Sequence, residues 1–163
     1  MNWYDPSRPE QIKPTPWLPP DAVAYLEQII ERDFKVIEHG GGGSTVWFSE
    51  RVESVTCHEQ KLEWYNVIDA HRGENVTLYQ TALPIKNRRK YDLLLIDGEP
   101  VRDRAEWLRQ AQRLVKSGGW VVLDNANRPE YAKERDGLRE FADLEFTSSK
   151  TGRYLVTEFW RVR

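Results

Sequence analysis

The sequence predicts one doubly wound α/β domain, that is, a mostly parallel sheet with helices on both faces. Short apolar runs alternate with amphipathic segments along most of the chain, and parallel strands need such crossover connections. The 163 residues are enough for one domain with a buried core. The apolar fraction of 39%, with seven tryptophans and seven tyrosines, is typical of a folded globular chain.

Residues 1–19 are expected to form a proline-rich arm, and residues 20–163 the folded domain. Proline removes a backbone donor and fixes φ, so the arm cannot be a regular helix or a central strand. Trp3 and Trp17 equip the arm either to pack across the core or to cover a site as a lid. The arm is also the candidate contact between copies of the chain in a homo-oligomer.

The first half of the domain predicts a helix followed by alternating strands and helices. The segment PPDAVAYLEQIIERD has prolines at its start, an acidic first turn and apolar residues at helical spacing. Gly73 is expected to cap the third helix. The predicted elements after the first helix are a strand at 35–40, a helix at 44–52, a strand at 54–59, a helix at 60–73 and a strand at 75–80.

The second half continues the alternation and ends in a pair of strands. Residues 91–98, YDLLLIDG, have the pattern of a buried strand. The helix over 101–116 is expected to be broken by Gly118 and Gly119. The remaining predicted elements are a strand at 120–125, a helix at 128–142 opened by Pro129, and strands at 144–149 and 154–162. The last two are too close for a crossover, so at least one strand must be antiparallel.

Four consecutive glycines at residues 40–43, the glycine turn, follow the first strand, where open parallel sheets bind ligands. Such a turn lets the backbone approach a bound group, and the next helix offers free N–H donors. Glu59, about 20 residues further on, ends the second strand and can accept both hydroxyls of a ribose. Glu38, before the glycines, would repel a pyrophosphate but suit an ammonium group. The pattern favours a nucleoside that carries an amino acid, which describes S-adenosylmethionine.

These residues, with Ile96-Asp97-Gly98 ending the fourth strand, resemble a class I (Rossmann-like) S-adenosylmethionine-dependent methyltransferase over residues 20–163. The resemblance implies a three-layer α/β/α fold whose seven-stranded sheet has the order 3-2-1-4-5-7-6, with strand 7 antiparallel. It also implies an enzyme with S-adenosylmethionine as its cofactor. The implied contacts are Glu38, His39, Gly40, Gly41 and Gly42 at the methionine moiety, Ser44 and Thr45 at its carboxylate, Glu59 at the ribose, and Gln60, Thr81, Ala82 and Leu83 at the adenine.

A second cluster is expected at the ends of strands four and five, where Asp97 meets Asp124 and Asn125. The three residues resemble the metal ligands of catechol and caffeoyl-CoA type O-methyltransferases, which implies Mg²⁺ that activates a substrate hydroxyl. In the alternative, Asp97 contacts the cofactor or acts as a general base, and Asp124 and Asn125 only end the strand through Asx turns.

The catalytic lysine of those metal-dependent enzymes is replaced here by Pro100. The nearest cations along the chain are Arg102 and Arg104. Arg102 is expected to be catalytic together with Asp97. The tryptophans within the domain are expected to pack helices on the sheet; they include Trp47, Trp64, Trp107 and Trp120.

Composition excludes several other classes of protein. The net charge of −2 disfavours a general nucleic-acid binder. Cys57 is the single cysteine, which excludes an intrachain disulfide and a cysteine-rich zinc site. The sequence has no apolar run near the roughly 18 residues of a membrane span, so no membrane association is expected. The N-terminus also lacks the features of a secretory signal, and a cytoplasmic protein is therefore expected.

The expected function is methyl transfer from S-adenosylmethionine to a small-molecule or sugar-like acceptor, at oxygen. Two alternatives are a non-catalytic methyltransferase-like module that serves as a partner subunit, and a nucleotide-dependent oxidoreductase. The intact glycine turn with Glu59 argues against the first. Glu38 before the glycines, and the missing G-x-G-x-x-G register, argue against the second. Cofactor binding separates all three.

Overall fold

The computed structural model describes residues 12–82, 90–149 and 156–163. The strands are β1 (Lys35–His39), β2 (Ser54–His58), β3 (Val76–Tyr79), β4 (Tyr91–Ile96), β5 (Val115–Leu123), β6 (Ala142–Thr147) and β7 (Glu158–Val162). The helices are α1 (Pro20–Ile29), α2 (Gly43–Ser49), α3 (Leu62–His71), α4 (Asp103–Leu114) and α5 (Ala132–Gly137). Among the helices of these three ranges, none has the length and apolar character needed to cross a membrane.

The seven strands form one sheet in the order β3-β2-β1-β4-β5-β7-β6, which confirms the predicted order. Strand β7 runs antiparallel to β5 and β6, and the other pairs are parallel. In this register His39 lies opposite both His58 and Ile96, and Ile96 lies opposite Leu123. The residues that follow β1, β2, β4 and β5 therefore meet at one edge of the sheet, where open α/β sheets bind ligands.

The core has two layers, one on each face of the sheet. Helix α4 covers one face with Trp107, Leu108, Ala111 and Leu114, which are buried against the strands. Helices α1 and α2 cover the other face, and α3 packs on α2 and β3. Every residue of β4 is buried, as expected for a central strand covered on both faces.

The connection between α4 and β5 differs from the prediction. The helix ends at Leu114, and β5 begins at Val115 without a break, so Gly118 and Gly119 lie inside the strand. Val115 is fully buried, and this β-branched side chain favours extended backbone. Gly118 has a φ of +76°, and the pairing of β4 with β5 shifts register between Tyr91 and Leu93. The glycines therefore allow an irregular strand rather than ending the helix.

Two further helix predictions needed correction. The segment 128–142 forms α5 flanked by short 3₁₀ turns at Pro129–Tyr131 and Leu138–Glu140, because its only buried large side chains lie in those turns. Helix α3 ends at His71, and the next residue, Arg72, is extended (φ −69°, ψ 149°), so Gly73 does not serve as a left-handed cap. The terminal strand pair starts at Ala142 and Glu158, and residues 150–155 lie outside the described ranges.

Candidate active site

A cavity of about 260 Å³ opens at the edge of the sheet where β1, β2 and β4 end. The glycine turn and Ser44 form one wall, and Glu59 and Lys61 follow β2. The residues after β4 form another wall, with the side chain of Asp97 and the backbone of Gly98. The remaining lining residues are Trp17, Trp64, Glu99, Arg104 and Asn125.

The glycine turn passes closer to neighbouring backbone than any side chain would allow. Gly40 has a φ of +83°, and a Cβ built on it would lie 2.3 Å from the Cα of Gly98. The Gly40 N–H donates to the carbonyl of His58 at 2.9 Å. Glycine is therefore required at residue 40 both for its backbone conformation and for its contact with the end of β4.

Glu59 is held in the cavity wall by the glycine turn itself. One carboxylate oxygen accepts a hydrogen bond from the Gly41 N–H at 3.1 Å, and the other accepts from the Lys61 N–H at 2.7 Å. The side chain is 7% exposed, so burial raises the pKa of Glu59, while these two backbone donors lower it in part. A carboxylate has about four acceptor sites, so its free lone pairs can accept from two ligand hydroxyls.

Glu38 does not line the cavity. Its side chain is fully buried beneath the glycine turn, and within the described residues neither carboxylate oxygen has a hydrogen-bond partner of good geometry. Burial raises the pKa of Glu38 to about 7, although the nearby Ser44 and Thr45 hydroxyls favour the charged form. The carboxyl group lies buried behind the turn, and its expected contact with the methionine moiety stays a prediction.

His39 and Thr45 also point away from the cavity. The His39 ring stacks on Trp107, with centroids 5.0 Å apart, because alternate residues of β1 face opposite sides of the sheet. Burial lowers the pKa of His39 to about 3, helped by the charge of Arg104. Thr45 accepts from the Gly42 N–H at 3.2 Å and donates to the Cys57 sulfur at 3.5 Å. Thr45 therefore stabilises the glycine turn from the buried side.

Arg104, rather than Arg102, is the arginine of the site. Its side chain is 2% exposed and donates to the backbone carbonyls of Gly98, Asp124 and Asp97 at 2.9, 2.7 and 2.7 Å. The Arg102 side chain is 85% exposed and lies outside the cavity lining. The difference follows from the start of α4, since position 104 faces the sheet and position 102 faces solvent.

Asp97 lines the cavity, and the charge of its carboxylate is partly neutralised by the Arg104 guanidinium. Its side chain is 30% exposed, and one oxygen accepts from Arg104 at 3.3 Å. Partial removal from water and the neighbouring Asp124 carboxylate raise the pKa of Asp97 well above its usual range. This environment is suitable for a proton acceptor.

The residues at this edge do not fit a bound Mg²⁺. The Asp97 carboxylate contacts a guanidinium, and Asp124 Oδ1 accepts from the Thr157 hydroxyl at 2.7 Å. Asn125, with a φ of +53°, lines the cavity beside them. Across the described part of the chain, no group of three His, Cys, Asp or Glu side chains is arranged to hold a metal ion. The expected Mg²⁺ site at Asp97, Asp124 and Asn125 is therefore not supported.

The residues expected at the adenine lie outside this cavity. Gln60 is exposed, Thr81 and Ala82 are partly exposed, and none of them is among the lining residues. The Ala82 carbonyl accepts from the Trp107 indole N–H at 2.8 Å. Leu83 lies outside the described residues. The adenine contacts therefore stay predictions.

The sequence did not identify two residues of the cavity, Lys61 and Trp64, whereas Trp17 was expected either to pack across the core or to cover a site. Trp64 was expected to pack a helix on the sheet, whereas its ring faces the glycine turn and contacts Trp17. Its position five residues after Glu59 could have predicted a place in the cavity, because the first turn of α3 starts beside the end of β2.

The fold is that of the Rossmann-like methyltransferases. Three solved structures share the fold: a tRNA (m1A58) methyltransferase from Aquifex aeolicus, a ribosomal protein L11 methylase from Lactobacillus delbrueckii, and the N-methyltransferase NodS from Bradyrhizobium japonicum in complex with S-adenosyl-L-homocysteine. Their TM-scores are 0.65, 0.66 and 0.65, at 15%, 14% and 12% identity. The matches cover 86%, 87% and 80% of this chain, and 66%, 76% and 79% of those chains.

A ubiquinone biosynthesis O-methyltransferase from Nitrosomonas europaea is 30% identical over 139 residues, which are 78% of this chain. The match spans 58% of the length of that relative. No protein-family model matches the chain. The fold and this similarity support the class I S-adenosylmethionine-dependent methyltransferase family.

Proposed function

We propose that this protein binds S-adenosylmethionine and transfers its methyl group to a hydroxyl of a small-molecule or sugar-like acceptor. The observation that carries the proposal is one shared cavity, which brings the glycine turn and Glu59 together with Asp97. The first two suit a nucleoside ligand. Asp97 is suited to act as a proton acceptor beside this ligand.

The residues present fit this cofactor. The backbone of the glycine turn and Ser44 would hold the amino-acid part, and Glu59 would accept from the ribose hydroxyls. When bound, S-adenosylmethionine supplies an electrophilic methyl group on a sulfonium. In its ionised form the buried Glu38 carboxyl behind the turn would suit a cationic ligand and oppose a phosphate.

Asp97 is proposed to accept the proton of the acceptor hydroxyl. Its raised pKa makes it a stronger base than an ordinary carboxylate, and Arg104 fixes its position through both backbone and side chain. Methyl transfer is an in-line displacement, for which holding the reacting groups in line supplies a large part of the rate enhancement.

Support for an oxygen acceptor comes from the Nitrosomonas europaea relative, whose name is that of an O-methyltransferase. The fold does not select an acceptor, since proteins named as RNA and protein methylases share it. A small acceptor is favoured by the net charge of −2, because RNA binding calls for a sustained basic surface.

Calorimetric titration of the purified protein with S-adenosylhomocysteine tests the proposal, with NAD⁺ as the control ligand. Micromolar binding of S-adenosylhomocysteine without NAD⁺ binding is the expected result. Binding of NAD⁺ instead would favour the oxidoreductase alternative, and binding of neither would favour the partner-module alternative. Repeating the titration with Mg²⁺ and with EDTA should leave the affinity unchanged, since Arg104 and Thr157 occupy the carboxylates.

A further inference from the structure

Trp17 is an unusual tryptophan in this protein because it is 44% exposed and lines the cavity. The buried tryptophans Trp47, Trp107, Trp120 and Trp160 are at most 5% exposed. Trp17 belongs to the segment before α1, far from the glycine turn in sequence. Its ring meets the ring of Trp64 edge to face, with centroids 5.3 Å apart and planes at 85°.

Two anchors fix the segment that carries Trp17. On one side, its backbone crosses the glycine turn so closely that a Cβ on Gly43 would lie 2.2 Å from the Lys13 carbonyl and 2.6 Å from the Thr15 carbonyl. On the other side, Leu18 is buried in the core layer of α1 and α2. Trp17 lies between these two anchors, so the packing of its segment against the glycine turn fixes its position.

We infer that Trp17 is a cofactor-contacting residue and that residues 12–18 complete the cofactor pocket. The backbone beside Trp17 packs on Gly43, and the Trp17 ring packs on Trp64. Both contacts are on the side of the cavity that carries Glu59 rather than at the ends of β4 and β5. The polar groups of that wall are backbone N–H donors and a carboxylate. The two indole rings add apolar surface to the cavity beside these polar groups, which suits packing against the bound nucleoside.

This inference rests on the proposed function, and its test separates the two. The affinity for S-adenosylhomocysteine is measured by calorimetry for the wild type, Trp17→Ala and Trp17→Phe. Leu62→Ala is the matched control, because Leu62 is an exposed apolar residue (55%) of α3 outside the cavity lining. Trp17→Ala should weaken binding about 3- to 30-fold, Trp17→Phe should retain most of the affinity, and Leu62→Ala should bind as the wild type does.

Tryptophan fluorescence gives a second measurement that does not depend on activity. S-adenosylhomocysteine should change the emission of the wild type, and the change should be smaller in Trp17→Phe, which keeps Trp64 in the cavity, while calorimetry still detects binding. Gly43→Ala should also weaken binding, because its Cβ displaces the segment without removing the indole. Far-ultraviolet circular dichroism confirms that each variant is folded.

The outcomes are distinguishable. A wild type that does not bind S-adenosylhomocysteine overturns the proposed function and this inference with it. A wild type that binds, with Trp17→Ala binding within twofold of it and showing the same fluorescence change, overturns the inference alone. That second result would leave Trp17 in the acceptor region or on the surface, and the cofactor pocket complete without it.

Discussion

The guanidinium of Arg104 donates hydrogen bonds to both the backbone carbonyl and the carboxylate of Asp97, at 2.7 and 3.3 Å. The same group reaches the carbonyls of Gly98 and Asp124. One buried cation therefore joins the ends of β4 and β5 and orients the candidate proton acceptor. The guanidinium contacts the carboxylate of Asp97, one of the three residues that were expected to bind a metal ion.

Replacing Arg104 should destabilise the whole protein. Arg104→Met would remove the guanidinium donor from the carbonyls of Asp97, Gly98 and Asp124, of which the last keeps the Tyr131 hydroxyl at 3.2 Å. We expect a loss of about 3–5 kcal/mol in the free energy of unfolding. Urea denaturation followed by circular dichroism measures this. Arg102→Ala is the control, because an exposed side chain should change stability by less than about 0.5 kcal/mol. Equal effects of the two substitutions would contradict the assignment of Arg104.

Glu59 should contribute directly to cofactor affinity. Glu59→Ala removes charge-assisted hydrogen bonds to the ribose and frees the Gly41 N–H, so binding of S-adenosylhomocysteine should weaken by about 1–3 kcal/mol. Calorimetry measures the change. Glu63→Ala, an exposed carboxylate in the first turn of α3, should have no effect. Unchanged affinity in Glu59→Ala would refute the ribose contact.

Asp97 should affect turnover more than cofactor binding. Asp97→Asn keeps the size of the side chain but removes the base, and loss of a general base costs about 10²–10⁴-fold in rate. Release of S-adenosylhomocysteine in the presence of hydroxyl acceptors measures turnover, and calorimetry on the same variant measures affinity. If only the affinity falls, Asp97 belongs to the cofactor contacts instead.

His39 should make the protein sensitive to acid. Its pKa is about 3 in the folded state and about 6.5 when unfolded, so the unfolded chain binds more protons between these values. The contribution of neutral His39 to the free energy of unfolding is fully present above pH 6.5 and falls as the pH drops toward 3. The unfolding free energy of the wild type relative to His39→Leu should therefore decrease from pH 7 to pH 5. A difference independent of pH would show that His39 titrates normally in the fold.

Glu38 should have the opposite pH dependence. Burial raises its pKa to about 7, so the folded state binds more protons than the unfolded state between about 4.5 and 7. The stability of its protonated form is present below pH 4.5 and is lost as the pH rises through 7. Glu38→Gln should thus be more stable relative to the wild type at pH 8 than at pH 5, as measured by urea denaturation. A larger gain at pH 5 would contradict the buried, unpaired carboxyl.

The family and the approximate place of the site followed from local patterns in the sequence. A buried β4, the glycine turn and Glu59 are recognisable without a structure, because strand and turn preferences act over a few residues. The parallel order then brings Asp97 and Asp124 to the same edge. Gly118 and Gly119 show where local rules fail, since the burial of Val115 extends β5 through both glycines.

The sequence by itself determined the glycine turn with its acidic partner and Asp97 at the strand end, and its resemblance to a known family implied the strand order. Only the tertiary structure decided that Arg104 rather than Arg102 reaches Asp97, that Glu38 lies behind the turn, and that Trp17 enters the cavity. Turns and strands depend on neighbouring residues along the chain. Side-chain direction, burial and pairing depend on contacts between residues far apart in sequence, which form only when the chain has folded.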